Sequence, residues 1–333
     1  MLAIVCPGQG SQTPGFLSPW LELPGTAARL DALAEAAGTD LRTHGTTSDA
    51  DTIRDTSVAQ PLIVAASLLA YRALADSLAG VRALRPDVTA GHSVGELAAA
   101  AVAGVLDDAG AAGLVAVRAR AMADAAALEP TGMSAVVGGD PDEVLTAIER
   151  AGLHPANVNG GGQVVAAGSL EGLARLAADP PTKARVIALQ VAGAFHTHYM
   201  QPAVDVFGPV AAGWPAHDPV LPLLSDADGA AYGDGTGEAP HGRAADVLAR
   251  LAAQVVAPVR WDLCQQTLLT MGVTGLVELA PAGVLVGLAR RSLPGVETVA
   301  VKTPADLDAA RELVLRHATA PTGAAPTTEE TPA

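Results

Sequence analysis

A serine held between two glycines is the first place in this chain where chemistry is to be expected. Residues 89–100 read TAGHSVGELAAA, and Ser93 sits at the centre of a G-x-S-x-G pattern. PDVTA before it reads as a short strand and ELAAAAVAGVL after it as a helix, so the motif falls on a strand–turn–helix. A serine at the tip of so sharp a turn needs small neighbours, because side chains there would clash. The helix start then aims unpaired backbone N–H groups at the space beside Ser93. Such groups can stabilise the oxyanion formed when the serine attacks a carbonyl. The competing reading is a chance match in a chain rich in Gly and Ala.

A serine nucleophile needs a base. Of eight histidines, His92 adjoins Ser93, and neighbours on a tight turn rarely form the attacking pair. His44, His154, His217, His241 and His317 lie in polar or loop-like stretches or near the tail, and read as surface groups. His196 ends the apolar run VIALQVAGAF, predicted as a strand, at the junction of two structural units, a common location for a site. If that strand continued, His196 and His198 would share a face, and a metal pair becomes conceivable. No Cys, Asp or Glu lies close by to complete it, so no metal is expected. Arg118 is a separate clue. In GLVAVRARAMADAA it shares a helical stripe with Val115 and Met122, while Arg120 lies opposite, four residues before Asp124. Plain solvation is the ordinary fate of a helical arginine. An inward one needs an anion, since guanidinium cannot neutralise. That anion is either a buried Asp or a substrate carboxylate, which the planar fork fits bidentately.

The elements that must position these groups follow from the rest of the chain. Its 333 residues suggest about two domains. Half are hydrophobic but only 3% aromatic, so the core is built from Ala, Val and Leu. The net charge of −15 comes without a basic stripe, which argues against nucleic acid as a partner. Cys6 and Cys264 make no disulfide framework and no CxxC. No basic residue precedes Arg29, which argues against a signal peptide. The most apolar uncharged stretch, SVAQPLIVAASLLAY, falls short of the ~18 residues of a membrane span. A cytoplasmic protein away from membranes is the expectation. LAIVC opens the chain as a strand, and PGQGSQTPG fails as a dinucleotide loop because Thr13 stands where the third glycine belongs. Residues 57–79 and about 109–126 read as helices. From 127 to 195 the order is MSAVVG strand, DPDEVLTAIERAG helix capped by Asp140, HPANVN and QVVAAGS strands, SLEGLARLAAD helix and RVIALQVAGAF strand. This βαββαβ order is the ferredoxin-like pattern. It interrupts a larger α/β unit formed by 1–126 and 196–315, with a glycine-rich loop at 227–243. Residues 316–333 read as a disordered tail.

Taken together, PGQGSQ (7–12), GHSVGE (91–96), Arg118 in VRARAM, ANVNGGGQVVAAG (156–168), GAFHTHYM (193–200) and QVVAPVRW (254–261) resemble the malonyl-CoA:acyl carrier protein transacylases of fatty acid synthesis. Their order is far more specific than any one motif, and the match spans about residues 1–310. The resemblance implies an α/β-hydrolase-like large domain carrying the ferredoxin-like subdomain. It implies Ser93 as the nucleophile that carries malonyl as an ester, and His196 as base and later acid. It implies the N–H groups of Gln9 and Val94 as the oxyanion hole, and Arg118 as the clamp for the malonyl carboxylate. Gln254 would orient His196 through its carbonyl, in place of the acid of a triad. His92 and Asn159 would line the pocket, and Phe195 marks the malonyl-preferring form of its segment. His198 and Tyr199 follow where family members vary, and the tail has no counterpart. Malonyl-CoA and an acyl carrier protein are the implied partners, with no cofactor, and the chain is expected to act as a monomer. Carrier proteins are acidic, so docking by Arg290 and Arg291 is expected, against the alternative that both are merely solvated. Three rivals stand beside this reading. One is an esterase or thioesterase with Asp140 or Asp179 as triad acid. The second is a non-catalytic docking or scaffold protein, and the third a transacylase that also serves polyketide carriers.

Overall fold

The computed structural model describes residues 1–233 and 238–319. Residues 234–237 of the glycine-rich loop and 320–333 of the expected tail lie outside the described residues. Among the described residues, nine strands form two sheets: β1 (Leu2–Cys6), β2 (Val88–Gly91), β3 (Thr131–Gly138), β4 (His154–Gly160), β5 (Gln163–Ser169), β6 (Ala184–Ala188), β7 (Leu223–Leu224), β8 (Gly275–Glu278) and β9 (Glu297–Ala300).

The first sheet has the order β7-β2-β1-β8-β9, and all its pairs are parallel. LAIVC is an unbroken apolar run because β1 is central and covered on both faces. Successive residues feed opposite cores: Leu2, Ile4 and Cys6 join one cluster, Ala3 and Val5 the other. The helix Thr56–Ser77 fills the first of these cores and packs on the helix Asp108–Ala126. It is longer than the apolar stretch marked in the sequence, and by length and composition alone it could cross a membrane. Its most apolar window is 83% buried inside the fold, so its apolar faces are already covered. The small alanines of both helices let the two backbones approach closely.

The second sheet is antiparallel, in the order β4-β5-β3-β6. The helices Pro141–Arg150 and Leu170–Ala178 join its strands and bury Val144, Ile148 and Leu176 against Val136 and Ala166. Asp140 caps the first helix through the N–H groups of Asp142 and Glu143, and Ser169 caps the second through Gly172. The two layers meet along the edge of β4. There Val158 donates to the Val259 carbonyl at 2.8 Å, and Val259 donates to Ala156 at 2.9 Å.

Two expectations need correction. The strand expected to run to Phe195 ends at Ala188. Its partner β3 runs on to Thr131, opposite position 191 in this register, but the chain turns away and only Leu189 still finds a β3 carbonyl, that of Met133. The apolar residues that follow, Leu189, Val191 and Phe195, wall a cavity instead of extending the sheet. Residues 316 and 317 belong to the helix Leu307–His317 and not to a tail. His317 bonds Thr274 and Glu297, and Arg316 pairs with Glu297.

Candidate active site

The turn between β2 and the helix Gly95–Val102 carries Ser93 at φ +54°, a left-handed conformation rare for a residue with a Cβ. Its two glycines are a steric requirement. A methyl on Gly91 would lie 2.1 Å from the Gly95 carbonyl carbon, and one on Gly95 would lie 2.2 Å from the Cys6 oxygen. Neither distance can be accommodated without moving main chain. The turn leaves Ser93 Oγ 2.8 Å from His196 Nε2. His196 Nδ1 donates to the Gln254 main-chain carbonyl at 3.0 Å. A carbonyl only accepts, so Nδ1 holds the proton and the Nε2 lone pair faces the serine. His196 itself sits at φ +62°, on the connection after β6, and is buried.

Arg118 is 1% exposed and lies behind the serine. Its Nη1 donates to Gln60 Oε1 at 2.7 Å; its Nη2 donates to Gln254 Oε1 at 2.8 Å and to Ser93 Oγ at 3.4 Å. Nε has no partner among the described residues. The guanidinium is thus held by neutral amides and a hydroxyl. A cavity of about 230 Å³ opens in front, lined by Gln9, Ser93, Val94, His92, Asn159, Phe195 and His196. His92 Nε2 bonds Asn159 Oδ1 at 2.9 Å, and Asn159 Nδ2 donates to Gln163 at 2.8 Å. Gly8 makes room for the His92 ring, since a methyl there would lie 2.8 Å from Nδ1. Gln60 lines the same cavity, so the amide that holds Arg118 also borders the space a substrate would enter.

A family model described as acyl transferase domain matches residues 3–216. The malonyl CoA-acyl carrier protein transacylase of Mycobacterium tuberculosis H37Rv is 53% identical over 308 residues, 92% of this chain and 98% of that one. The chain belongs to the malonyl CoA-acyl carrier protein transacylase family. The transacylase of Escherichia coli K12 is 32% identical over 93% of this chain and 99% of its own. Among solved structures, MCAT from Mycobacterium tuberculosis superposes with a TM-score of 0.85 at 53% identity, covering 93% of this chain and 99% of that one. A type II PKS acyl-carrier protein in complex with its malonyl-transacylase gives 0.83 at 28% identity, covering 93% and 99%.

In this acyltransferase the expected residues fall into one site. Ser93, His196, Gln254 and Arg118 are linked by hydrogen bonds, and Gln9, Val94, His92, Asn159 and Phe195 border the cavity. Arg290 and Arg291 lie apart, exposed at the end of the helix Val284–Ser292, whose first turns reach the cavity through Val284, Leu285 and Leu288. Asp140 caps its helix and Asp179 pairs with exposed Arg150, so neither orients His196 as a triad acid. His196 and His198 point to different partners: the His198 ring packs on Tyr199 and His154, while both His196 nitrogens bond within the site, to Ser93 and Gln254. Of the two Gln254 carbonyls, the side-chain one does not reach His196. The contact to His196 is made by its main-chain carbonyl, while its amide bonds Arg118.

Sequence reading missed three buried side chains: Gln60, Glu96 and Asp226. Gln60 was visible as a polar residue set in the apolar run VAQPLIVAA of its helix. Glu96 was visible as the single charge in GELAAAAV. Asp226 gave no signal, because LLSDADG reads as any polar loop.

Burial, and then the Arg118 charge, pull His196 down to about 3. The imidazole is therefore neutral and able to accept a proton across the ordinary pH range. The rate of serine acylation is expected to stay level from about pH 8 to pH 5, with no inflection near the free histidine value of about 6.5. A quenched-flow pH series measures this, and an inflection near 6.5 would show a solvated ring. The linked stability has a definite sign. Below about 6.5 the unfolded chain takes up a proton that the folded ring refuses, so His196 lowers stability as pH falls through that window. Burial also lowers Arg118, to about 10, against the pull of the negative charge held by the Glu96–Asp226 carboxyl pair, which leaves it charged at neutral pH.

Proposed function

We propose that this acyltransferase moves the malonyl group from malonyl-CoA to the phosphopantetheine thiol of an acyl carrier protein through an ester on Ser93. Ser93 Oγ attacks the thioester carbonyl while His196 Nε2 takes its proton. The N–H groups of Gln9 and Val94 receive the oxyanion. The C–S bond breaks, the sulfur leaves with the proton from His196, and malonyl-Ser93 remains. The carrier thiol then gives its proton to His196 and attacks the ester, reversing the sequence. Acyl exchange between thioester and ester changes no oxidation state, and the residues named supply every proton transfer. CoA is a substrate, and the phosphopantetheine belongs to the partner.

One observation carries this reading: a buried arginine reaches within 3.4 Å of the serine hydroxyl and is held by amides instead of a carboxylate. A buried cation so placed favours an acyl group with a free carboxylate. His92 and Asn159 complete the pocket wall, Phe195 supports malonyl over branched acyl groups, and Arg290 and Arg291 are the proposed carrier contacts. The β7-β2-β1-β8-β9 sheet with its elbow supports an α/β-hydrolase-like domain of residues 1–126 and 196–315. The βαββαβ order of the second sheet supports a ferredoxin-like subdomain of 127–195. We read the protein as a cytoplasmic monomer. The neighbour bound to a polyketide carrier favours a second reading, in which polyketide carriers are acceptors as well.

Intact-mass spectrometry after mixing with malonyl-CoA tests the proposal. A single malonyl adduct is expected to persist until a carrier protein is added, and then to be transferred. Rapid loss of the adduct to water would make the protein a hydrolase.

A further inference from the structure

Two buried carboxyl groups lie directly behind the nucleophile, and no step above uses them. Asp226 and Glu96 are 0% and 3% exposed. Asp226 Oδ2 accepts from the Ser93 N–H at 2.7 Å and from Gln254 Nε2 at 2.9 Å. Glu96 Oε1 accepts from the Asp226 N–H at 3.0 Å. Two adjacent carboxyls in a buried site do not both ionise. Hydrogen-bond donors favour the charged form; Asp226 collects two at one oxygen and Glu96 one. The negative charge therefore belongs to Asp226 and the proton to Glu96. Burial and the charge of Asp226 raise Glu96 well above the usual carboxylate range, in agreement with this division.

The side chain of Gln254 joins this anion to Arg118. Its Nε2 faces Asp226 and its Oε1 faces the guanidinium. An amide is nearly symmetric in shape but opposite in polarity at its two ends. An acceptor at position 226 draws the NH2 end toward itself, which turns the carbonyl end to Arg118. With the amide reversed, NH2 would face guanidinium, and Arg118 would lose one of the two amide oxygens that aim it. Asp226 also occupies the N–H of Ser93, which leaves those of Val94 and Gln9 free for an oxyanion.

We propose that Asp226 is a positioning residue for acyl transfer: it fixes the Ser93 turn through the main-chain N–H and fixes the polarity of Gln254 so that Arg118 stays aimed at the acyl group. The proposal rests on the malonyl-transfer reading above.

The test compares Asp226→Asn and Glu96→Gln in the full chain, with malonyl-CoA and acetyl-CoA as donors and a carrier protein as acceptor. Asp226→Asn offers an NH2 group that permits Gln254 to invert. It is expected to lower kcat for malonyl about 10- to 100-fold and the malonyl-over-acetyl ratio at least about tenfold. Glu96→Gln keeps a donor where the proton sits, and is expected to cost less than about threefold. Either of two results overturns the proposal: Asp226→Asn within twofold of the parent in both rate and ratio, or Glu96→Gln as damaging as Asp226→Asn. Should Asp226→Asn not fold, the double variant Asp226→Asn with Gln254→Glu decides. It restores a complementary amide–carboxylate contact but pairs Arg118 internally, so it is expected to fold and lose malonyl preference; retained preference overturns the proposal. The parent protein run in parallel separates the two failures. A parent that forms no malonyl adduct sinks the transfer reading, whereas a parent that acylates beside an unchanged Asp226→Asn sinks only the positioning role.

Discussion

Ser93→Ala is expected to leave no covalent malonyl adduct and to lower carrier malonylation by about 10³-fold or more. The hydroxyl is the one nucleophile that the turn presents to the cavity beside a base. The two cysteines are not substitutes, since both are buried and burial pushes their thiols upward. His196→Ala is expected to fall by a similar amount, because a serine with no base at 2.8 Å keeps its proton. Groups that act as a unit are not additive, so the double variant is expected to be no worse than either single one. Single-turnover acylation followed by intact mass measures all three. Full carrier malonylation by Ser93→Ala would place the chemistry elsewhere.

Arg118→Ala is expected to invert donor preference. Removing one partner of a buried, hydrogen-bonded charge pair costs about 2–5 kcal/mol, which is about 30- to 4,000-fold in kcat/KM for malonyl-CoA. Acetyl-CoA carries no second carboxylate and is expected to change by less than about tenfold. The variant also strands the oxygens of Gln60 and Gln254 and the buried charge of Asp226, so it is expected to be less stable. The ratio of the two donors in one competition experiment is independent of the folded fraction, which makes it the decisive measurement. Arg118→Lys keeps the charge but not the fork, and is expected to fall between the two. An unchanged ratio in Arg118→Ala would mean that the acyl carboxylate binds elsewhere.

Much of this site could be read from local sequence, for identifiable reasons. G-x-S-x-G is legible because its glycines answer to contacts within a few residues and with the adjacent strand. LAIVC is legible because a central parallel strand is apolar throughout. The βαββαβ segment is legible because its helices carry their own caps, Asp140 and Ser169. The end of β6 was not, because the apolar run continues past Ala188 while the chain leaves its partner β3, which itself runs on to Thr131. Apolar character reports burial, and a cavity wall is as buried as a sheet. Asp226 was not legible because its partners, Ser93, Glu96 and Gln254, are 133, 130 and 28 residues away. The sequence names a Gln254 carbonyl beside His196 without saying which one, and only the three-dimensional arrangement puts the main-chain oxygen on His196 and the amide on Arg118.

The oxygen that aligns His196 belongs to the peptide backbone, and this has an evolutionary consequence. A backbone atom is inherited with the path of the chain and not with a codon, so no substitution at position 254 deletes it so long as that path is kept. The orientation of the imidazole is thereby shielded from point mutation, while the amide one bond system away stays free to vary with the acyl group being selected. Drift in donor choice can then proceed without dismantling the proton transfer on which every donor depends.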